Sequence, residues 1–349
     1  MTEIALSFCI PTYNRAQSVY ALVINILSCS DADIEVVVLD NCSTDDTLTI
    51  LKSINDERLL LFSNEKNMGG LYNGLNVLNK ARGKYLVFST DKDNLIANQI
   101  TKFKSFLLQH TNISCGFCEL NSLNKSLPEI FSKGILAIKN VAYKGNHPTG
   151  YFFKNEFLKL INHTERFSDF RFVDVFALDF IFAELCTLGD GAIYHNKVFI
   201  TETAEVAAKH KSYNASGKSK EAFYSPEGRL KVALNYTTHI NSLALRRQEK
   251  DMLVIDVFTR NILAATFGYK ALMENKYLCL HYDMESRDVY LAELLSIGLY
   301  FYKDFSRKNL YFSGNYSIRK LIFDAHISFS ILRIVLGTIR ARLFRFPIN

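Results

Sequence analysis

The sequence predicts an α/β protein: a parallel, doubly wound sheet with helices on both faces, followed by an all-helical C-terminal region. Three observations predict it. Over residues 4–95, apolar runs of strand composition alternate with helical stretches at the spacing of β-α-β units. The runs are continuous rather than alternating, which suits strands buried on both faces. Four of them end in polar clusters, and parallel α/β sheets bind their ligands at the carboxyl ends of strands.

The elements follow in order. Ile4–Ile10 (IALSFCI) reads as a buried strand stopped by Pro11, and Val19–Leu27 as a helix. Ile34–Leu39 (IEVVVL) is a second buried strand ending at Asp40. Asp45–Ile54 is helical, with Ser43 or Thr44 as N-cap. Leu59–Ser63 is a short strand, and Gly70–Ala81 is a helix closed by Arg82-Gly83. Tyr85–Phe88 is a further strand, and Ile96–His110 a helix. Residues 113–145 are less regular, with strand-like pieces at Ile113–Glu119 and Ile135–Ile138. Phe172–Leu188 is a long apolar helix, followed by Gly189 and a strand near Ala192–Ile200. Residues 209–220 (KHKSYNASGKSK) read as a polar, basic loop, and from about residue 226 the pattern is helical throughout. The predicted domains are residues 1–218 and 219–349.

Composition sets the outer limits. Of 349 residues, 48% are hydrophobic and 22% charged, enough for a sizeable core and incompatible with global disorder. The net charge is +6, and most of it lies in the tail, where Arg319, Lys320, Arg333, Arg340, Arg342 and Arg345 face Asp324. The body is nearly neutral, so a nucleic-acid partner is not expected. Seven scattered cysteines fit reduced thiols in a reducing compartment. Cys115-Gly-Phe-Cys118 has no second pair and no nearby His, which disfavours a metal site. Met1-Thr2-Glu3 runs straight into the first strand, so no signal peptide is predicted, and no run of 18 uncharged apolar residues suggests a spanning helix.

The polar clusters are Pro11-Thr12-Tyr13-Asn14-Arg15, Asp40 through Asp46, Asn64 through Gly70 with Asn73, and Asp91-Lys92-Asp93. The last carries the most information. Two carboxylates one residue apart project to one side of an extended segment. Burying them unpaired is costly, and a divalent cation on a phosphate-bearing ligand is a fitting partner. There is no G-x-G-x-x-G and no G-x-x-x-x-G-K-[ST], which disfavours a Rossmann dehydrogenase and excludes a P-loop NTPase.

In order and spacing, Pro11-Thr12-Tyr13-Asn14-Arg15, Asp40-Asn-x-Ser-x-Asp45, Asn67-x-Gly69, Ala81-Arg-Gly83-Lys-Tyr85 and the Asp-x-Asp resemble family 2 glycosyltransferases with the GT-A fold. The match is dense over residues 4–95 and weaker to about 210. The resemblance implies an inverting, metal-dependent enzyme that moves a sugar from a nucleotide-diphosphate sugar, a UDP-sugar foremost, to a hydroxyl of a glycan or lipid-linked acceptor in bacterial surface-polysaccharide (O-antigen or capsule) biosynthesis. It implies that Pro11 to Arg15, Asn67 and Gly69 line the nucleotide pocket. Asp40 is implied to hydrogen-bond the base and Asp91 to reach the ribose or sugar. Asp93, with Asp91, is implied to hold Mg²⁺ or Mn²⁺ on the diphosphate. Lys92 is unusual at its position and is expected to face solvent.

An inverting transfer also needs a carboxylate to accept the proton of the attacking hydroxyl. The family places it at the head of a helix about ten residues before a Gly, after a Gly-containing loop that His147-Pro148-Thr149-Gly150 resembles. Asp179 fits that spacing to Gly189, with Asp174 as the alternative; the usual Glu-Asp pair is replaced by Leu178-Asp179. His210, after the last core strand, is the candidate third metal ligand. In the tail, Ile318, Leu321, Ala325, Phe329, Leu332 and Leu336 recur at helical spacing beside a heptad column of Arg319, His326, Arg333 and Arg340. Such a helix suits an anionic membrane surface, giving a cytoplasmic enzyme peripheral to the inner face of the cell membrane. The sequence leaves oligomeric state, sugar, acceptor and linkage open. Two readings compete. A sugar nucleotidyltransferase would carry a Gly-rich basic loop after the first strand, which is absent. A catalytically inactive partner of the same fold would be expected to have lost Asp40, Asp91 and Asp93, which are present.

Overall fold

The computed structural model describes residues 3–120, 127–167, 177–195, 197–209 and 224–308, with positions 324, 325, 329, 332 and 336 of the tail. The chain forms two compact units, Met1–Glu202 and Thr203–Asn349.

The first unit is built on strands β1 (Leu6–Thr12), β2 (Ile34–Asp40), β3 (Leu59–Ser63), β4 (Tyr85–Phe88), β5 (Asn94–Leu95), β6 (Ile113–Cys118), β7 (Glu129–Phe131), β8 (Tyr151–Lys154), β9 (Asp190–Tyr194) and β10 (Phe199–Ile200). Its helices are α1 (Ala16–Leu27), α2 (Thr47–Lys52), α3 (Gly70–Asn79), α4 (Ile100–Gln109), α5 (Ile135–Val141), α6 (Asn155–Leu160), α7 (His163–Phe167) and α8 (Ala177–Leu188). Among the described residues, the main sheet has the order β3-β2-β1-β4-β8-β6-β9-β7. Strands β3, β2, β1 and β4 are parallel, as the sequence predicts. The rest is mixed: β8 lies antiparallel between β4 and β6, and β7 is an antiparallel edge on β9. An apolar run reports burial on both faces and carries no information on strand direction.

Pro11 does not stop β1. The strand runs on to Thr12, paired with Asp40 of β2, while its pairing with β4 ends at Cys9. The missing N–H of Pro11 therefore falls where one neighbour has already departed. Helix α2 is shorter than predicted, and its first turn is held by Asp45, whose Oδ1 accepts from Thr47 N at 3.0 Å, rather than by Ser43 or Thr44. The apolar piece at Ile135–Ile138 is helical, not extended. Gly134 opens it at φ 92°, and Ala137, Ile138 and Val141 form its buried face.

A buried polar network sits under the parallel strands. Glu35 is fully buried on β2 and accepts from Ser7 Oγ (2.7 Å), from the Arg82 backbone N–H (2.7 Å) and from Arg82 Nε (2.8 Å). Gly83 N–H donates to the same Ser7 Oγ at 2.7 Å. A Cβ on Gly83 would lie 2.7 Å from Ser7 N, so only glycine brings the chain this close to β1. The Ala81-Arg-Gly83 motif thus seats β4 against β1 and compensates a buried carboxylate. Cys115 and Cys118 point to opposite faces of β6, and both are buried. Cys115 Sγ lies 3.6 Å from Cys186 Sγ, so this CxxC is core packing.

The second unit is helical where described: α9 (Ala204–Ala207), α10 (Pro226–Ser242), α11 (Arg247–Leu263), α12 (Tyr269–Met273), α13 (Lys276–His281) and α14 (Leu291–Lys308). Its core gathers Leu230, Tyr236, Leu253 and Val257 with Phe258, whose ring centroid lies 5.5 Å from that of Phe301 and 4.9 Å from that of Phe305.

Candidate active site

The carboxyl ends of β1, β2, β3 and β4 converge on one polar rim. The β1 and β2 loops are tied together. Asn14 N–H donates to Ser43 Oγ (2.9 Å), Thr44 N–H to Asn14 Oδ1 (2.8 Å) and Arg15 N–H to Thr47 Oγ1 (3.1 Å). Asn14 adopts φ 52° to make these contacts, a conformation that Asn tolerates better than most residues. The β2 and β3 ends are tied by amides. Asn41 Nδ2 donates to Asn67 Oδ1 (2.8 Å), and Asn41 Oδ1 accepts from Asn64 Nδ2 (3.0 Å) and Met68 N (2.9 Å). Gly69, at φ 85°, then starts α3, its N–H bonded to Asn67 Oδ1 at 2.9 Å.

Asp40 is 1% exposed, and its oxygens accept from Ser43 N (3.0 Å), Ser43 Oγ (2.5 Å) and Ser63 Oγ (3.2 Å). A carboxylate accepts about four hydrogen bonds, so most of its capacity goes to shaping the loop. Asp91 bonds across to β1: Thr12 Oγ1 donates to its Oδ2 at 2.9 Å. Burial of this carboxyl pushes its pKa up to about 6, against the opposing pull of Thr12, Arg15, the Tyr13 N–H and Lys92.

Asp93 is also buried, at 3% exposure. Its Oδ2 accepts from Thr90 Oγ1 (2.5 Å) and from Thr149 Oγ1, and it meets His147 Nε2 at 2.5 Å. Burial would raise its pKa, but the hydrogen bonds from His147, Thr149 and Thr90 and the His147 charge outweigh it, and the group is held below the usual carboxylate range. Its Oδ1 is buried with no hydrogen-bond partner. An orphaned anionic oxygen is a feature that a bound cation would satisfy. Among the described residues, no three His, Cys, Asp or Glu side chains converge as a complete cation cage. Two carboxylates suit a cation whose other ligands are diphosphate and water oxygens. Lys92 does not run free into solvent: its Nζ lies 3.1 Å from Glu202 Oε1, just beyond β10, whose pairing with β5 sets that distance.

Asp179 lies in the first turn of α8 at 1% exposure, with its Oδ2 accepting from Gly145 N at 2.7 Å. Burial, then the Asp179 charge, pushes the Tyr151 hydroxyl well above its ordinary pKa. The loop between α5 and β8 therefore touches both carboxylates: Gly145 binds Asp179, while His147 and Thr149 bind Asp93. Three positive-φ residues shape it: Tyr143 (56°), Gly145 (61°) and Gly150 (85°). Gly150 N–H bonds Phe88 O at 2.8 Å, and a Cβ there would meet Cys118 Cβ at 2.9 Å. Asp174 and His210 lie outside the described residues. His147 and Thr149 stood in a recognised loop, but spacing alone gave neither a contact with Asp93.

A parallel half-sheet ending in a carboxylate-bearing rim, extended by antiparallel strands, defines the GT-A class. The Staphylococcus aureus TarS 1–349 structure in complex with UDP-GlcNAc matches the fold with a TM-score of 0.56 at 17% identity, covering 87% of this chain and 91% of that one. The model of glycosyl transferase family 2 matches residues 7–182, half of the chain, and the chain belongs to that family. It is 30% identical over 102 residues to UDP-Glc:alpha-D-GlcNAc-diphosphoundecaprenol beta-1,3-glucosyltransferase WfaP of Escherichia coli, covering 29% of this chain and 41% of that one. It is 33% identical over 109 residues to poly(ribitol-phosphate) beta-N-acetylglucosaminyltransferase TarS of Staphylococcus aureus, covering 30% of this chain and 19% of that one. The matched stretches thus span less than half the length of these curated relatives.

Proposed function

We propose that this chain is an inverting, metal-dependent glycosyltransferase of bacterial surface-polysaccharide biosynthesis. It moves a sugar from a nucleotide-diphosphate sugar, a UDP-sugar foremost, to a hydroxyl of a glycan or lipid-linked acceptor. The observation that carries the reading is the buried, unpartnered Oδ1 of Asp93 beside Asp91 at the ligand edge of a family 2 domain. The similarity to an enzyme that takes UDP-Glc and a diphosphoundecaprenol-linked acceptor supports the donor and the lipid-linked acceptor.

The Pro11–Arg15 loop, Asn67 and Gly69 line the nucleotide pocket, and Asp40 holds its floor through the Ser43 turn. Asp91 contacts the ribose or sugar. Asp93 and Asp91 hold Mg²⁺ or Mn²⁺, with His210 as the candidate to complete the set. Bound there, the cation neutralises the charge that develops on the departing nucleoside diphosphate. Asp179 takes the proton of the acceptor hydroxyl as its oxygen attacks the anomeric carbon, with Asp174 as the alternative base. Because Gly145 covers Asp179, the acceptor reaches it when this loop yields.

The tail is proposed to lie on the anionic inner face of the membrane. Ala325, Phe329, Leu332 and Leu336 are helical and exposed, and their 4-3-4 spacing places them on one face. Basic residues accompany them in the sequence. Among the described residues, no helix is long and apolar enough to cross a membrane.

The test is a screen of nucleotide-sugar donors for nucleotide release with Mn²⁺, run on the full chain and on Asp93→Ala. Release is expected from the full chain alone, and hydrolysis that survives Asp93→Ala removes the metal assignment. Truncation after residue 315 is expected to lower co-sedimentation with anionic liposomes, and unchanged sedimentation rejects the membrane role.

A further inference from the structure

We propose that His147 is a positioning residue that selects which oxygen of Asp93 meets a divalent cation; this rests on the metal-dependent reading above. The two oxygens of Asp93 are treated very differently. Oδ2 has three side-chain partners, Thr90, Thr149 and His147, while Oδ1 is buried and has none. An ionised carboxylate oxygen only accepts, so in this contact His147 Nε2 carries the hydrogen. The Thr90 and Thr149 hydroxyl oxygens lie 3.0 Å apart, and Thr149 Oγ1 accepts from the Thr90 N–H at 3.0 Å. The two threonines are thus part of the strand-end framework. The His147 side chain, by contrast, is 34% exposed.

Its placement is preset. Pro148 restricts its backbone, and Gly150 is anchored to Phe88 at the end of β4. The imidazole therefore stands on a loop fixed to the strand that leads into Asp91 and Asp93. With His147 in place, Oδ2 is committed to protein groups and Oδ1 is the oxygen left for a cation. Groups that hydrogen-bond a coordinating carboxylate orient it, and losing one commonly weakens metal binding by about 10- to 100-fold.

The experiment measures Mn²⁺ binding by electron paramagnetic resonance on the full chain in saturating UDP, alongside metal-free UDP affinity. It compares wild type with His147→Ala, His147→Leu and His147→Gln, each checked for an intact fold by circular dichroism. His147→Leu keeps volume and removes the donor, so it carries the test if the alanine variant is unstable. The expected result is Mn²⁺ affinity about tenfold or more weaker in the Ala and Leu variants, with recovery in Gln, whose amide N–H can donate to the same oxygen. Metal-free UDP affinity is expected to stay unchanged in all three. Folded Ala and Leu variants that bind Mn²⁺ like wild type overturn the proposal, as does a Gln variant no better than Leu. If wild type with UDP binds no Mn²⁺, the metal-dependent reading itself fails, an outcome distinct from a silent His147.

Discussion

The two halves of the main sheet present the same kind of edge in different ways. In the parallel half, β3-β2-β1-β4, every strand is followed by a polar loop on the ligand edge, and the loops bond one another through Asn14, Ser43, Asn41 and Asn67. In the mixed half, β8-β6-β9-β7, the parallel pair β6 and β9 is flanked by the antiparallel β8 and β7, and the polar contacts come from one connection, residues 143–150, and from the head of α8. In the proposed function the first half is the cradle for the nucleotide. The second half reaches over it, holding Asp93 with His147 and Thr149 and covering Asp179 with Gly145. Under the proposed function, donor binding falls to one half and proton transfer to the other.

The strongest way to break that division is Asp179→Asn. The amide keeps an acceptor for the Gly145 N–H but cannot serve as a base. A turnover loss of about 10²- to 10⁴-fold is expected, with UDP and Mn²⁺ affinities near wild type, in single-turnover kinetics and titration. Equal loss of nucleotide binding would place Asp179 on the donor side and dissolve the distinction.

A smaller effect tests the parallel half as a scaffold. Glu35→Ala removes the acceptor for Ser7 and Arg82 beneath β1, β2 and β4. It is expected to lower stability by about 2–3 kcal/mol, because a buried charged group with several hydrogen bonds is lost. Denaturant unfolding followed by tyrosine fluorescence gives the value, and a change below about 0.5 kcal/mol would assign the motif another role.

The smallest concerns pH. His163 is 4% exposed, and burial lowers its pKa even though Leu75 O faces its Nε2 at 3.2 Å. The unfolded chain takes up this proton below about pH 6.5 while the folded chain does not, so stability is complete above that pH and declines as pH falls. His163→Asn should flatten the decline by at most about 1 kcal/mol per pH unit, seen as a smaller change in unfolding midpoint between pH 7 and pH 5.5. An unaltered slope would show that this histidine charges freely in the folded protein.

Legibility differed between the halves for a physical reason. Strands buried on both faces must be continuously apolar, so β1, β2 and β4 stand out in one sequence, as do the polar clusters that follow them, Asp91-Lys92-Asp93 included; the edge strand β3 is only half-buried. Ile135–Val141 did not, because four apolar residues in a row serve a short buried strand or the inner face of a short helix equally well. β8 lay within the recognised loop region, but nothing in Tyr151-Phe152-Phe153-Lys154 states its direction. Lys92 was obscure because its partner, Glu202, is brought near only by the pairing of β5 with β10.

By itself, the sequence determined the alternation of elements, the polar strand-end loops and the family, because burial and loop chemistry act over a few residues and leave a local record. The tertiary structure decided the direction of β8, the threonine and histidine grip on one oxygen of Asp93, and the covering of Asp179 by Gly145. Those contacts join residues 34 to 56 positions apart. Spacing along the chain does not encode contacts at that separation; packing of the whole sheet brings them together.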